Sequence, residues 1–371
     1  MSKLIEKTNI VNEYAPENVY ENMINIIEVS NNNHDCVIDI PDSQPDSDYE
    51  ILQNIEENVT SDIVLNLEEN RPKIIIEKAV KQLCKGQDLP CCGKFTEKET
   101  GKKGDFVAVY DGHGGNGCID FIRTLDQEEI MSEIKPVDFV VEKIMEYRKK
   151  TNKSMKDSGS TFVYAKIFTE DEDGSGLGYI HIGNVADSEL VVYINGERIY
   201  MTTPQISTTP GEMERLKREN RVDKFAPRRL QSKPFIHADD KITMEDSYSI
   251  NFCGMKSIVP SQSLGHNELT GYNPEYKILT FDLKKDYVKI VCASDGLWDI
   301  LNLKLEKDEQ SLITMGAESL ASLAERLWKQ EWKYCYQKED MNKFKMEKFP
   351  EYGYDDIGVC TYEYSGPDAK L

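Results

Sequence analysis

The dominant pattern along the chain is a series of short apolar runs, rich in β-branched and aromatic residues, that begins after Pro72. Runs of this length and composition predict β-strands. The Phe106–Tyr110 run is apolar throughout, which predicts a buried central strand. Asn195-Gly196 directly follows another run and predicts a tight hairpin turn. We expect strands at Ile74–Ile76, Phe106–Tyr110, Ser160–Phe168, Gly178–Ile182, Leu190–Ile194, Val288–Ala293 and Ile357–Tyr364.

Helical patterns are fewer and lie between groups of strands. Pro210, followed by acidic residues, predicts the start of one helix. Other helical patterns follow Asn116 and cover Val137–Tyr147. Because the helices are grouped rather than alternating with single strands, the pattern favours an α+β sandwich over regular βαβ units. A further helix is predicted by an apolar stripe at helical spacing, formed by Leu320, Leu323, Ala324, Leu327 and Trp328.

Charge divides the chain near residue 70. The 371 residues carry a formal charge of −21. Residues 1–70 contain sixteen acidic residues against Lys3 and Lys7, so their charge of −14 leaves −7 for the remainder. A polar, turn-rich run covers Pro41–Asp48. We expect residues 1–70 to be an acidic, flexible extension, either a solvated tail or a docking arm for a basic partner, and residues 71–371 to be the folded domain.

Composition argues against several classes of protein. The acidic balance disfavours binding to nucleic acid or to an anionic membrane. There is no apolar stretch of about 18 residues and no signal-peptide pattern at the N-terminus. The nine cysteines form no CxxC pair and are interpreted as reduced thiols. We therefore expect a soluble intracellular protein, cytoplasmic or nuclear, that is a monomer.

Three acidic clusters each follow a strand-like run: Asp111-Gly112-His113, Asp295 to Asp299, and Asp355-Asp356. The second cluster alone equally suits a helix cap. Taken together, strand-end acids without nearby Lys or Arg repel one another unless a cation neutralises them. Their oxygen atoms are the ligands that Mg²⁺ and Mn²⁺ prefer. The clusters therefore indicate a pair of divalent cations.

A different interpretation of the same region is a dinucleotide-binding loop. Gly112, Gly114 and Gly117 match GxGxxG between a predicted strand and a predicted helix. Against this alternative, Asp111 at the strand end repels a pyrophosphate, and the other acidic clusters stay unexplained. The motif alone is weak evidence.

Several short motifs together resemble the metal-dependent type 2C Ser/Thr protein phosphatases. The resemblance extends over about residues 75–364, with the motifs in that family's order and spacing. Independent motifs in order are far more specific than any one of them. The matching segments are Gln87-Asp88, FVAVYDGHGG at 106–115, DSGSTF at 157–162, GNVADSE at 183–189, Ser263-Leu264-Gly265, SDGLWD at 294–299 and Asp355-Asp356-Ile357.

The resemblance implies a four-layer α-β-β-α fold, in which two antiparallel sheets form a sandwich flanked by helices. It also implies hydrolysis of phosphoserine and phosphothreonine in phosphoprotein substrates by a metal-activated water, with two or three Mg²⁺ or Mn²⁺ ions and no phosphoenzyme. His113 becomes the general acid for the leaving oxygen, although a core histidine is the alternative. The implied metal ligands are Asp111, which bridges both ions, Gly112 through its carbonyl, Asp295, Asp355, Asp299 for a further ion, and Asp88 with Gln87 for the second.

The chain departs from the family pattern at several of these positions. Gln87 replaces a usual Glu, and the family's phosphate-binding Arg falls on Leu83, so Lys85 or Lys81 would have to bind phosphate. Asp157 lies one place closer to the SGST run than the usual acid, His266 replaces Asp, and Asp356 replaces Asn. These changes support an alternative function, a weak or inactive pseudophosphatase that binds phosphoproteins or regulates another phosphatase. The insert at about 220–251 is either a specificity flap or a solvated loop.

Overall fold

The computed structural model describes residues 71–171, 174–222, 228–229, 234–236, 242–244, 248–252, 257–304, 309–335 and 344–370. The expectations for residues 1–70, and those for most of the 220–251 insert, lie outside these ranges. No helix within these ranges has both the length and the apolar character needed to cross a bilayer.

The strands are numbered in chain order. The first nine are β1 (Lys73–Lys81), β2 (Asp88–Thr96), β3 (Lys103–Gly114), β4 (Ser158–Ser160), β5 (Phe162–Phe168), β6 (Leu177–Val185), β7 (Glu189–Ile194), β8 (Glu197–Met201) and β9 (Arg228–Arg229). The others described are β10 (Pro234–Ile236), β11 (Ile242–Met244), β12 (Tyr248–Ser249), β13 (Leu264–Gly265), β14 (Glu275–Asp282), β15 (Tyr287–Ala293), β16 (Glu331–Cys335), β17 (Phe344–Lys348) and β18 (Ile357–Ser365).

The helices are short, apart from two. Within the described ranges they are α1 (Gly117–Ile122), α2 (Gln127–Ser132), α3 (Pro136–Thr151), α4 (Glu212–Arg218), α5 (Asp295–Lys304), α6 (Glu309–Thr314) and α7 (Ala317–Lys329). Two 3₁₀ turns cover His266–Glu268 and Glu351–Gly353.

Two antiparallel sheets form the body of the domain. Among the described residues, one sheet has the order β1-β18-β15-β7-β8, and the other has the order β13-β4-β3-β5-β6-β14 with β2 also paired to β3. Side chains from both sheets, such as Val107, Val163, Ile290 and Tyr362, pack together in one buried cluster. The Phe106–Tyr110 part of β3 is buried throughout, as the sequence predicts for a central strand.

Helices cover the outer face of each sheet. The apolar stripe of α7, including Leu320, Leu327 and Trp328, packs with α5 against the sheet that contains β15 and β18. Helices α1, α2 and α3 pack in the same way against the sheet that contains β3, for example through Ile119 and Val140. The four-layer α-β-β-α arrangement expected from the sequence is therefore confirmed.

The structure also corrects two of the expectations. The Asp355-Asp356 pair does not follow a strand, because it directly precedes β18. The dinucleotide alternative needs a parallel βαβ unit, whereas β3 pairs antiparallel with β2, β4 and β5. The Gly112/Gly114/Gly117 loop is therefore not a dinucleotide-binding loop of that type.

Candidate active site

Four strand ends meet at one end of the sandwich and bring distant acids together. Asp88 begins β2 and is the cross-strand partner of Asp111 near the end of β3. Asp295 begins α5, which directly follows β15, and Asp355 directly precedes β18. Since β15 and β18 are antiparallel neighbours, the end of one lies beside the start of the other. Both sheets therefore contribute carboxylates to the same place.

Ser294 joins the two sheets at this point. Its Oγ donates a hydrogen bond to Asp88 Oδ2 at 2.6 Å and accepts one from the Gly358 N–H at 2.9 Å. The Ser294 N–H in turn donates to the Gly358 carbonyl at 3.0 Å. One hydroxyl thus holds the start of β2 against the start of β18.

The gathered acids strongly perturb one another. Burial raises the pKa of Asp88 and of Asp111 well above the ordinary value, and repulsion by neighbouring carboxylates adds to it. Burial likewise raises the pKa of Asp295. For Asp355, burial and the charge of Asp295 raise the pKa to about 7. Negative charge at this place is costly without a compensating cation.

The donor chemistry of this cluster fits divalent cations. Asp295 Oδ1 and Gln87 Oε1 are buried oxygen atoms with no hydrogen-bond partner among the described residues. Buried acceptors of this kind are unfavourable unless something binds them. The donors are all oxygen atoms, which suits Mg²⁺ or Mn²⁺. No three His, Cys, Asp or Glu side chains of the described residues are already arranged as a ligand set, so binding requires the carboxylates to reorient.

Gly112 packs too tightly for any side chain. A Cβ at this position would lie 2.8 Å from Ile119 Cγ2 and 3.1 Å from Gln87 Cβ. The Gly112 N–H donates to the Gln87 carbonyl at 3.2 Å, and Gln87 Nε2 donates to Asn116 Oδ1 at 2.8 Å. Gln87 is therefore held with its amide nitrogen satisfied and its Oε1 uncommitted.

The two lysines considered as phosphate ligands have different partners in the structure. Lys81 forms an ion pair with Glu318 on α7. The ammonium nitrogen of Lys85 instead lies 3.7 Å from Asp355 Oδ1, with its side chain half-exposed. Partial burial opposes its charge, but Asp355, Asp111 and Asp295 outweigh that effect and raise the pKa of Lys85. Lys85 is a cation beside the acidic cluster.

Both ring nitrogens of His113 are within hydrogen-bond distance of a neighbouring side chain. Its Nδ1 lies 3.1 Å from Nε2 of His266, and its Nε2 lies 3.1 Å from the Ser263 Oγ. Because His266 Nδ1 lies 2.8 Å from the Lys156 carbonyl, which can only accept, that nitrogen carries the hydrogen. In neutral His266 the Nε2 is therefore an acceptor, and His113 Nδ1 is the donor. Burial is the main cause that lowers the pKa of His113 to about 3, and the positive charge of Lys85 adds to it.

Two other residues from the sequence analysis lie at the margin of the cluster. Asp299 is one helical turn after Asp295 on α5 and is exposed. Asp157 is also exposed, and its carbonyl accepts a hydrogen bond from the Gly115 N–H at 2.6 Å. Burial lowers the pKa of His266, and the nearby charge of Asp157 partly opposes this effect, so Asp157 lies on the histidine side of the cluster.

Sequence reasoning did not single out two further acids, Asp187 and Glu189. Burial raises the pKa of Asp187 well above its usual value, and Asp295 and Asp355 add to this. Burial, then Glu275 and Asp295, raise the pKa of Glu189 to about 8. Glu189 is the cross-strand partner of Ala293, two residues before Asp295. Both acids lie in the GNVADSE segment next to a strand, which is the signal that could have identified them.

Together, the fold and this cluster define an α+β sandwich with an oxygen-rich centre suited to divalent cations. The chain belongs to the protein phosphatase 2C family, whose model matches residues 87–306, more than half of the sequence. The match begins at Gln87 and includes Asp88, Asp111 and Asp295.

Individual relatives and solved structures have low sequence identity with the chain. A probable protein phosphatase from Dictyostelium discoideum is 23% identical over 302 residues, which are 73% of this chain but only 29% of that relative. The serine-threonine phosphatase 2C of Toxoplasma gondii is 12% identical, with a TM-score of 0.42, and the match covers 80% of this chain and all (100%) of that one. A C. elegans sex determining protein is 14% identical, with a TM-score of 0.44, and the match covers 80% of this chain and 65% of that one.

Proposed function

We propose that this chain is a protein phosphatase that hydrolyses phosphoserine and phosphothreonine with Mg²⁺ or Mn²⁺, using water as nucleophile and forming no phosphoenzyme. The observation that carries the proposal is the convergence of Asp88, Asp111, Asp295 and Asp355 from both sheets at one end of the sandwich, where loss of solvent raises the pKa of each carboxyl group. Acids in such a place are retained for a reason other than stability. Membership of the protein phosphatase 2C family supports the same reaction.

In this proposal the cations are held by oxygen atoms of both sheets. The ligands are Asp111, the Gly112 carbonyl, Asp295 and Asp355, with Asp88 and Gln87 for the second ion and Asp299 for a third. When bound, the ions neutralise the phosphoryl oxygens and lower the pKa of the attacking water. Because Gln87 is neutral, it binds a cation more weakly than a carboxylate does.

Lys85 binds the phosphoryl group from the outer side of the cluster. Its ammonium group is near Asp355 and half-exposed, so it can turn towards an incoming phosphate without being desolvated first. An ammonium group contacts phosphate as a point charge, whereas an arginine offers a bidentate fork. We therefore expect weaker substrate binding than an arginine at this position would give.

His113 donates the proton to the departing serine or threonine oxygen. It is neutral in the structure, because burial lowers its pKa to about 3. A phosphoryl dianion beside the ring favours the imidazolium form and raises this pKa. His113 then has to exchange its Nε2 contact with Ser263 Oγ for one with the leaving oxygen.

Hydrolysis of a phosphoserine peptide with Mn²⁺ tests the proposal. Wild-type protein is expected to release phosphate, and chelation with EDTA is expected to stop it. Asp111→Asn is expected to lower the rate by at least about 100-fold. The matched control is Asp105→Asn, because Asp105 is a buried acid on the same strand and lies outside the cluster. Equal rates for Asp111→Asn and wild type would contradict the proposal.

The second candidate is a weak or inactive relative that binds phosphoproteins without turnover. The observation that favours it is the neutral Gln87 at the cation site. Gln87→Glu separates the two candidates, since a carboxylate there is expected to tighten Mn²⁺ binding by about 10-fold. If turnover appears only in Gln87→Glu while wild type binds the phosphopeptide, the wild-type chain is the binding module.

A further inference from the structure

Asp355 and Asp356 are adjacent in sequence, but their side chains face different parts of the molecule. Asp355 belongs to the acidic cluster, where its Oδ1 lies 3.7 Å from Lys85 Nζ. The Asp356 carboxylate instead faces the main chain of the loop between β1 and β2 and is 2% exposed. The two carboxylates therefore have different partners, the acidic cluster for Asp355 and the loop between β1 and β2 for Asp356.

The Asp356 carboxylate accepts hydrogen bonds from three main-chain amides of this loop. Its Oδ1 lies 2.9 Å from the Cys84 nitrogen, and its Oδ2 lies 2.9 Å from the Gln87 nitrogen. The Lys85 nitrogen lies 3.3 Å from Oδ1 and 3.2 Å from Oδ2. Successive amides that point at one anion form a nest, and charged acceptors give the stronger hydrogen bonds.

This loop carries two of the residues on which the proposed function depends. The main-chain amides of Lys85 and Gln87 are both held by hydrogen bonds to the Asp356 carboxylate. The Gln87 carbonyl then accepts the Gly112 N–H at 3.2 Å, next to Asp111. A second contact, from Arg123 Nη2 to the Gly86 carbonyl at 2.6 Å, holds the outer side of the loop.

The Asp356 backbone fixes the same region from the other side. Its N–H donates to Asp355 Oδ1 at 3.0 Å. Its carbonyl lies where a Cβ on Gly296 would approach to 1.9 Å, so α5 packs directly against it. Asp356 is thus held in place beside Asp355 and α5. Through its hydrogen bonds to the Cys84, Lys85 and Gln87 amides, it fixes the position of the loop relative to them.

We infer that Asp356 is a positioning residue for phosphate binding, which sets the place of the Lys85 ammonium and the Gln87 amide by binding their main-chain N–H groups. This inference rests on the proposed function, and it concerns binding of the phosphoryl group rather than the chemical step. A carboxylate is required because both oxygen atoms accept. An amide at this position would turn its NH₂ group towards an N–H donor and leave at least one amide unpaired.

Hydrogen exchange tests the physical part of the inference without reference to activity. In Asp356→Ala and in Asp356→Asn, the amides of Cys84, Lys85 and Gln87 are expected to exchange about 10-fold faster or more. Amides within β18 are expected to keep their wild-type rates. The matched control is Asp282→Asn, since Asp282 Oδ1 accepts from the Lys284 and Lys285 amides at 2.9 and 3.1 Å in a turn elsewhere. Unchanged exchange at residues 84–87 would overturn the inference.

Kinetics with the phosphoserine peptide tests the functional part. Asp356→Asn is expected to raise KM by about 10-fold and to change kcat by less than about 3-fold. Lys85→Ala is expected to raise KM in the same way, and the double variant is expected to lose clearly less than the sum of the two single losses, because both changes remove the Lys85 contact and only the Asp356 change also disturbs Gln87. Additive losses, or an unchanged KM in Asp356→Asn, would overturn the inference.

A failure of the proposed function is distinguishable from a failure of this inference. If the wild-type protein binds inorganic phosphate in calorimetry but does not hydrolyse the peptide, the phosphatase proposal fails. The phosphate affinity then replaces KM as the readout, with the same expected 10-fold loss in Asp356→Asn. An unchanged phosphate affinity in that variant contradicts the positioning role.

Discussion

The imidazole rings of His113 and His266 stack with their centroids 4.9 Å apart, and Nδ1 of His113 lies 3.1 Å from Nε2 of His266. These residues are 153 positions apart in the sequence. Because a neutral imidazole accepts the His113 hydrogen bond, nothing at this contact favours protonation of His113.

The first prediction concerns this pair. Replacing His266 with Asp puts a carboxylate where the neutral ring lies, and this is expected to raise the pKa of His113 by about 1–3 units from its value of about 3. An NMR titration of the histidine rings in the presence of Mg²⁺ measures the change. His181, whose pKa burial lowers to about 4, is the internal control and is expected not to move. A His113 titration that stays in place would refute the prediction.

The second prediction is an unusual pH dependence of stability in metal-free protein. The pKa is raised from 3.8 to about 7 for Asp355 and from 4.5 to about 8 for Glu189. Between pH 6.5 and 8 the native state therefore binds more protons than the unfolded state, so stability falls as pH rises. Urea unfolding in EDTA at several pH values measures the slope. Mn²⁺ is expected to reduce the slope, because a bound cation favours the ionised form of Asp355 and the other carboxylates that hold it.

Glu189→Gln is the control variant for this pH dependence. The substitution removes one buried acid and is expected to stabilise the metal-free protein at pH 8 by ~2–4 kcal/mol, with little effect at pH 5. A stability that rises with pH across this interval in EDTA would contradict the electrostatic account.

The third prediction concerns the packing of α5 against the start of β18. In Gly296→Ala the new Cβ would lie 1.9 Å from the Asp356 carbonyl oxygen, which is backbone and cannot rotate away. We expect a loss of about 3 kcal/mol in the free energy of unfolding and weaker Mn²⁺ binding. Gly117→Ala is the matched control at the start of another helix, since its nearest atom is Ser158 Oγ at 3.8 Å. Equal stabilities of the two variants would show that the contact is not rigid.

The fourth prediction tests a buried ion pair away from the cluster. Lys166 is 1% exposed, and its Nζ lies 2.5 Å from Glu97 Oε1 and 4.9 Å from the centre of the Phe95 ring. Lys166→Met leaves the Glu97 carboxylate buried without its partner and is expected to cost about 3–5 kcal/mol in urea unfolding. Adding Glu97→Gln is expected to recover most of that loss. No recovery in the double variant would mean that packing rather than charge determines the cost.

The sequence alone determined the elements whose signals are local. Strand β3 contains the continuous apolar run Phe106–Tyr110, and α7 buries its predicted stripe. Asn195 and Gly196 adopt the positive φ values of 53° and 81° that a tight hairpin requires. These features depend on neighbouring residues along the chain, so a local pattern is sufficient. Strand β2 was missed, because Pro90 and Gly93 weaken its strand signal and its pairing with β3 provides what the sequence lacks.

The acids of the candidate site were identified from motifs, but only tertiary structure decided their surroundings. Folding placed Asp88 opposite Asp111, brought Lys85 rather than Lys81 to Asp355, and turned Asp356 towards the loop amides. Folding also placed Asp187 and Glu189 close enough to Asp295 for its negative charge to raise the pKa of both. The physical reason is that electrostatic and hydrogen-bond partners are selected by distance in space. These partners lie on different strands and loops, often more than 100 positions apart, and no local sequence pattern predicts which of them will be in contact.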